Sequence, residues 1–141
     1  MGDFSLGEQF DAVGQTFDDG MYLSRFEGLK EVSKETFDED GDSLTKHYLV
    51  LEYTIKEDGS KYFGQDIAEM FEITKDSDGN FKNRMAVKLL KSALDDLGIE
   101  VVPGGNFSDE EVKGNDFMIH VVKKATKDGT PINNIRRRIA Q

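Results

Sequence analysis

Residues 81–97 read Phe81-Lys-Asn-Arg-Met-Ala-Val-Lys-Leu-Leu-Lys-Ser-Ala-Leu-Asp-Asp-Leu97, and this stretch orders the rest of the chain. Ala86, Leu90 and Leu94 fall four apart, as do Met85, Leu89, Ala93 and Leu97, so the spacing predicts a helix with one broad apolar stripe. Lys82, Arg84, Lys88 and Lys91 take much of the remaining surface. Gly98 stands where a left-handed closing residue is wanted, and Asp78, Gly79 and Asn80 offer a loop and a cap at the other end. Three strand-like runs precede this helix and two follow it.

The chain has 141 residues, about one domain. No run approaches the ~18 apolar residues of a spanning helix, and MGDFSLGEQF lacks the basic and apolar regions of a signal peptide. A soluble, cytoplasmic protein that contacts no membrane is expected. The absence of cysteine removes disulfides, thiolate metal sites and cysteine nucleophiles. With only His47 and His120 as imidazoles, zinc would need carboxylates to complete its ligand set.

The formal charge of -10 is unevenly spread. Residues 113–141 carry seven basic residues against Asp116 and Asp128, a balance of +5, which leaves -15 on the first 112. Any binding to nucleic acid must therefore be local rather than a product of the overall field. Residues 1–19 hold five acids and no base. They read as an acidic arm, flexible or a short helix, suited to self-association into a homodimer or to a partner. Residues 20–141 read as the folded domain.

Five Asp-Gly pairs, beginning at Asp19, Asp40, Asp58, Asp78 and Asp128, mark turns or element boundaries. Met21–Lys34 reads as a first strand, with Gly28 at a bulge or bend. Glu35–Thr45 reads as an acidic loop. Lys46–Lys56 is the clearest strand, placing His47, Leu49, Leu51, Tyr53 and Ile55 towards the core and Tyr48 away from it. Lys61–Thr74 reads as the third strand, with Phe63, Ile67, Phe71 and Ile73 on one parity and so towards the core. Phe107–Glu111 suggests one capped helical turn, while Phe117–Lys124 and Pro131–Ile139 form a basic hairpin. Three strands, a helix and two strands is the order of a five-stranded OB-fold barrel, an all-β architecture with one inserted helix.

Signatures of chemistry are scarce, and neither an enzyme nor a cofactor is expected. Gly104-Gly105 lacks the Lys-Ser or Lys-Thr of a phosphate loop, and no GxSxG elbow occurs. Aligning Gly41 or Gly79 with the sixth position of a calcium loop puts His47 or Met85 where a bidentate Glu belongs, so both acidic loops read as solvated turns.

What the strands do supply is a cationic track with aromatic rings, the equipment for holding an unpaired polynucleotide. Candidate stacking residues are Tyr48, Tyr62 and, less favoured by its parity with Leu49 and Leu51, Tyr53. Candidate phosphate contacts are Arg25, Lys46, Lys61, Lys123, Lys124, Lys127, Arg136 and Arg138, the last two on one face if the final strand is regular. Such folds bind on strands two and three and with the loops joining strands one to two and four to five.

Phe17-Asp18-Asp19-Gly20-Met21-Tyr22 leading into Glu27–Lys34 resembles the opening of a widespread group of phage proteins. The likeness continues through Tyr48–Tyr53, Tyr62–Gln65, Met70-Phe71, Leu89–Leu94, Leu97-Gly98 and Val112–Gly114 to Asp128–Ile135, spanning about residues 17–139. The group is similar to OB-fold single-stranded DNA-binding proteins encoded near phage recombination or replication genes. The resemblance implies nonspecific binding of single-stranded DNA in phage replication, recombination or repair, in the host cytoplasm, beside phage or host proteins of those processes. This chain differs at the third strand, where Ala68 and Met70 replace an aromatic and a basic residue, and in ending on Arg136–Gln141 rather than an acidic tail. The surplus of acid on the first 112 residues supports a second expectation, a protein-interaction module such as a DNA mimic or assembly factor that binds no nucleic acid.

Overall fold

The computed structural model describes residues 16–102, 104–125, 127 and 129–141. Five strands, β1 (Gly20–Phe37), β2 (Ser43–Ile55), β3 (Asp66–Glu72), β4 (Asp116–Ala125) and β5 (Pro131–Ala140), form one antiparallel sheet in the order β3-β2-β1-β4-β5. Among the described residues one helix, α1 (Arg84–Leu97), lies between β3 and β4 in sequence and packs on β3 and β5, the two edges. Among the described residues the expected barrel closure is not found: no backbone ladder joins β3 to β5. No helix among the described residues is long and apolar enough to cross a membrane.

β1 organises the sheet because it serves two neighbours. Residues 20–25 pair with β4 and residues 24–37 with β2. The two ladders overlap at Ser24 and Arg25, and just beyond them, between Phe26 and Gly28, the β1–β2 register shifts and the Gly28 backbone takes φ 123°. There the segment before β4 replaces the lost ladder: Phe26 N–H donates to Asn115 O at 2.9 Å, Gly114 N–H to Phe26 O at 2.7 Å and Leu29 N–H to Asp109 Oδ2 at 2.8 Å. A side chain at position 28 would place its Cβ 2.9 Å from that same carboxylate oxygen, so the conformation calls for glycine and a larger residue would also displace the Asp109 carboxylate.

Alternation then builds the interior. Phe26 of β1, Leu51, Tyr53 and Ile55 of β2, and Phe117, Ile119 and Val121 of β4 meet Leu94 of α1 in one buried cluster. The helix ends on Gly98 in the left-handed conformation, and Asn83 Oδ1 caps its start by accepting from Ala86 N–H at 3.0 Å. Its buried face is narrower than the stripe predicts. Leu90, Ala93, Leu94 and Leu97 are inside, whereas Met85 and Leu89 are 62% and 55% exposed, because the helix packs mainly on the two edge strands.

Two boundaries also differ from expectation. The acidic loop shrinks to residues 38–42, since β1 and β2 extend towards each other. Residues 61–64 are a turn rather than the start of β3, closed by Gly64 N–H donating to Ile55 O at 2.8 Å. That turn swings Tyr62 inward and leaves Phe63, expected in the core, largely exposed. Of the acidic arm, the structure describes residues 16–19; residues 1–15 lie outside the described residues.

Candidate nucleic-acid interface

The outer face of β1 and β2 collects the side chains that the core excludes. A hairpin centred on residues 38–42 sets Val32 opposite Tyr48 and Lys34 opposite Lys46, and directly opposed residues share a face. Lys34 Nζ lies 5.7 Å from the centre of the half-buried Tyr48 ring. Lys30 continues the row but is paired with Glu52 at 3.4 Å. Neither Lys34 nor Lys46 forms an ion pair among the described residues.

The β4–β5 hairpin supplies further cations. Lys124, Lys127, Arg136 and Arg137 are exposed and without ion pairs among the described residues. Asp128, which follows Lys127 in sequence, lies outside the described residues.

Six of the expected contacts, Arg138 among them, are already committed within the protein. Tyr53 is fully buried and therefore offers no ring face to a base; its hydroxyl donates to Glu69 Oε2 at 2.9 Å. Tyr62 is buried too, with Phe17 stacked upon it at 4.3 Å and 6° and Tyr22 against its edge. Arg25 is paired with Glu27. Lys61 and Lys123 both hold the carboxylate of Asp18, at 2.8 and 2.9 Å. These two ammonium groups hold the Asp18 carboxyl well below the usual carboxylate range.

Arg138 departs furthest from expectation. It does not share a face with Arg136, because the register between β4 and β5 shifts at His120 and Val121: Arg137 pairs with His120, Ile135 with Val121, and Arg136 is the extra residue. The shift turns Arg138 inward, where its side chain is only 6% exposed and is paired with Glu69 of β3. Its Nη1 donates to Asp96 Oδ2 of α1 and its Nε to Tyr53 Oη, each at 3.2 Å, and its Nη2 donates to Ile135 O at 3.0 Å. Burial pushes the Glu69 carboxyl up, opposed by the guanidinium and by the Tyr53 hydroxyl. Arg138 thus ties the two unpaired edges of the sheet together through a side chain.

The acidic loops act as turns. Asp38 Oδ1 accepts from Asp40 and Asp42 N–H at 3.0 and 2.8 Å, and Asp76 Oδ1 accepts from Asp78 and Asn80 N–H at 2.9 and 3.0 Å. On a different surface, Arg84, Lys88 and Lys91 of α1 border a cleft of about 850 Å³ with Phe81.

Lys34 and Arg137 join the β1–β2 face and the β4–β5 hairpin surface without having been among the residues expected from sequence. The signal for Lys34 was present, since a turn centred on Asp40 places residue 34 opposite residue 46. The signal for Arg137 was not, because the register shift that decides which arginine turns inward is a tertiary feature. Comparison with protein-family models, curated proteins and solved structures finds no match.

Proposed function

We propose that this protein binds single-stranded DNA with little sequence preference, on an OB-fold-like framework and without performing chemistry. The observation that carries this reading is the outer β1–β2 face, where Tyr48 adjoins the directly opposed pair Lys34 and Lys46, both free of ion pairs among the described residues. A framework of the OB type is supported by the central place of β1, shared between β2 and β4 beside a glycine bulge, and by the helix inserted between β3 and β4. Its sheet edges are joined through Arg138 and Glu69 rather than by a ladder.

The energetics favour exchange at Tyr48. An exposed cation–π contact such as that of Lys34 is worth about 0.5–1 kcal/mol, whereas a base stacked on an aromatic ring is worth about 1–3 kcal/mol. A base can therefore displace the ammonium, which is then free to meet the adjoining phosphate. Lys46, Lys124, Lys127, Arg136 and Arg137 extend the cationic track, and binding would release counterions from the strand. The phage association and its replication, recombination or repair setting rest on the sequence resemblance alone.

The test is fluorescence anisotropy with a labelled oligothymidine. Tyr48→Ala is expected to weaken binding about fivefold to a hundredfold, and Lys88→Ala, on the helix, less than twofold. Equal effects would remove the proposed face. A second reading, an acidic protein-interaction module, is favoured by the neutralisation of Arg25, Lys61 and Lys123 by the chain's own carboxylates. It predicts no gel shift of the oligonucleotide and capture of a DNA-binding protein instead.

A further inference from the structure

Lys61 and Lys123 come from different hairpins, one in the turn between β2 and β3 and the other near the end of β4, yet their ammonium groups converge on a single anion. That anion is Asp18, and its position is fixed by the backbone around it. Phe17 N–H donates to Asn133 Oδ1 at 2.7 Å and Asn133 Nδ2 donates to Phe17 O at 3.0 Å, so one side chain holds both sides of the Phe17 backbone. Asp18 N–H donates to Tyr62 Oη at 3.0 Å, and Tyr22 Oη donates to Asp18 O at 2.7 Å. Asp19 Oδ1 accepts from Lys123 N–H at 2.7 Å. The Phe17 ring, stacked on Tyr62, anchors the segment in the core.

The carboxylate itself is not anchored in this way. Asp18, Lys61 and Lys123 are 53%, 68% and 45% exposed at their side chains, and ion pairs so open to water are weak and readily exchanged. Rotation of one side chain releases both lysines from their ion pairs, Lys61 keeping its ammonium 5.1 Å from the centre of the Tyr62 ring, while every backbone hydrogen bond of residues 17–19 stays in place.

We propose that Lys61 and Lys123 form a phosphodiester-binding cradle for the single strand, and that Asp18 is its resident competitor, occupying in the free protein the place of one phosphate. The inference rests on the single-strand reading above and deepens it. Two cations neutralised in the free protein become available when the strand arrives, and the chain's own acid sets the affinity threshold. The low pKa of Asp18 agrees with a cradle that keeps its occupant charged.

Asp18→Asn is the informative substitution, since it preserves shape and every backbone contact while removing the competing charge. Binding of a labelled oligothymidine is measured for the wild type, Asp18→Asn, the pair Lys61→Gln/Lys123→Gln, and the triple variant. Asp18→Asn is expected to tighten binding about three- to tenfold, and to change it less than twofold when both lysines are glutamine. No tightening overturns the proposal, as does equal tightening without the lysines, which would reveal only a general charge effect. If no variant binds the oligonucleotide, the single-strand reading itself fails. Titration with pyrophosphate followed by backbone amide shifts then decides the cradle alone: larger shifts at Lys61 and Lys123 in Asp18→Asn than in the wild type support it, and their absence ends it.

Discussion

Arg138 is the residue whose environment least resembles its chemistry, since a guanidinium sits inside a mostly apolar sheet. It is tolerated because Glu69, Asp96, Tyr53 and the Ile135 carbonyl accept its hydrogen bonds, and breaking a buried pair by removing one partner costs about 3–5 kcal/mol. Arg138→Met keeps much of the volume but strands Glu69. The Glu69 carboxyl is already raised by burial above its ordinary value of 4.5, and without the guanidinium it rises further. A carboxyl whose folded pKa exceeds its unfolded one contributes full stability below the unfolded value and loses it as pH climbs through the folded value. The Arg138→Met deficit relative to wild type should therefore be about 3 kcal/mol at pH 7.5 and clearly smaller at pH 5, measured by urea unfolding of both proteins at each pH. An unchanged deficit would mean that Glu69 does not titrate in that window. Sequence could not foresee this role, because an arginine in a basic run near an exposed strand reads as a surface cation. Only the register shift opposite His120 and Val121 turns it inward.

At the scale of elements, what depends on near neighbours was legible, and what depends on distant ones was not. The helix, its glycine stop, the Gly28 bulge and all five strands follow from local pattern. The start of β3 was misplaced because residues 61–64 form a turn with an aromatic inside it, and alternation cannot distinguish that from a strand. The width of the buried helix face was overestimated for another reason: periodicity reports which residues share a side, not how much surface waits to cover them. This gives a sharp contrast within one helix. Leu90→Ala should cost about 2–5 kcal/mol, as expected for truncation of a core leucine. Leu89→Ala, one residue earlier and 55% exposed, should stay within about 0.5 kcal/mol of wild type. Thermal or urea unfolding of the two variants decides it, and equal losses would mean that Leu89 is covered by a surface the described residues do not show.

For the whole molecule the governing quantity is the distance over which charge is felt. The chain carries 28 acidic against 18 basic residues, so an approaching oligonucleotide meets net repulsion from afar and, on the proposed reading, attraction only near the β1–β2 face and the β4–β5 hairpin. Salt selects between these fields. The screening length is about 30 Å at 0.01 M and about 10 Å at 0.1 M, so dilute buffer exposes the strand to the whole anionic protein, whereas moderate salt hides everything but the local lysines and arginines. Above roughly 0.1 M, log K for an oligothymidine should fall linearly with log salt at about -0.7 per contacted phosphate. Below it, the line should flatten or turn over rather than continue upward, unlike that of a uniformly basic binder. Affinities from 10 to 500 mM salt test the shape. A straight line across the whole range would show that the net charge is irrelevant to binding. No response at any concentration would show that phosphates are not what the protein holds, and would return the acidic interaction module to first place.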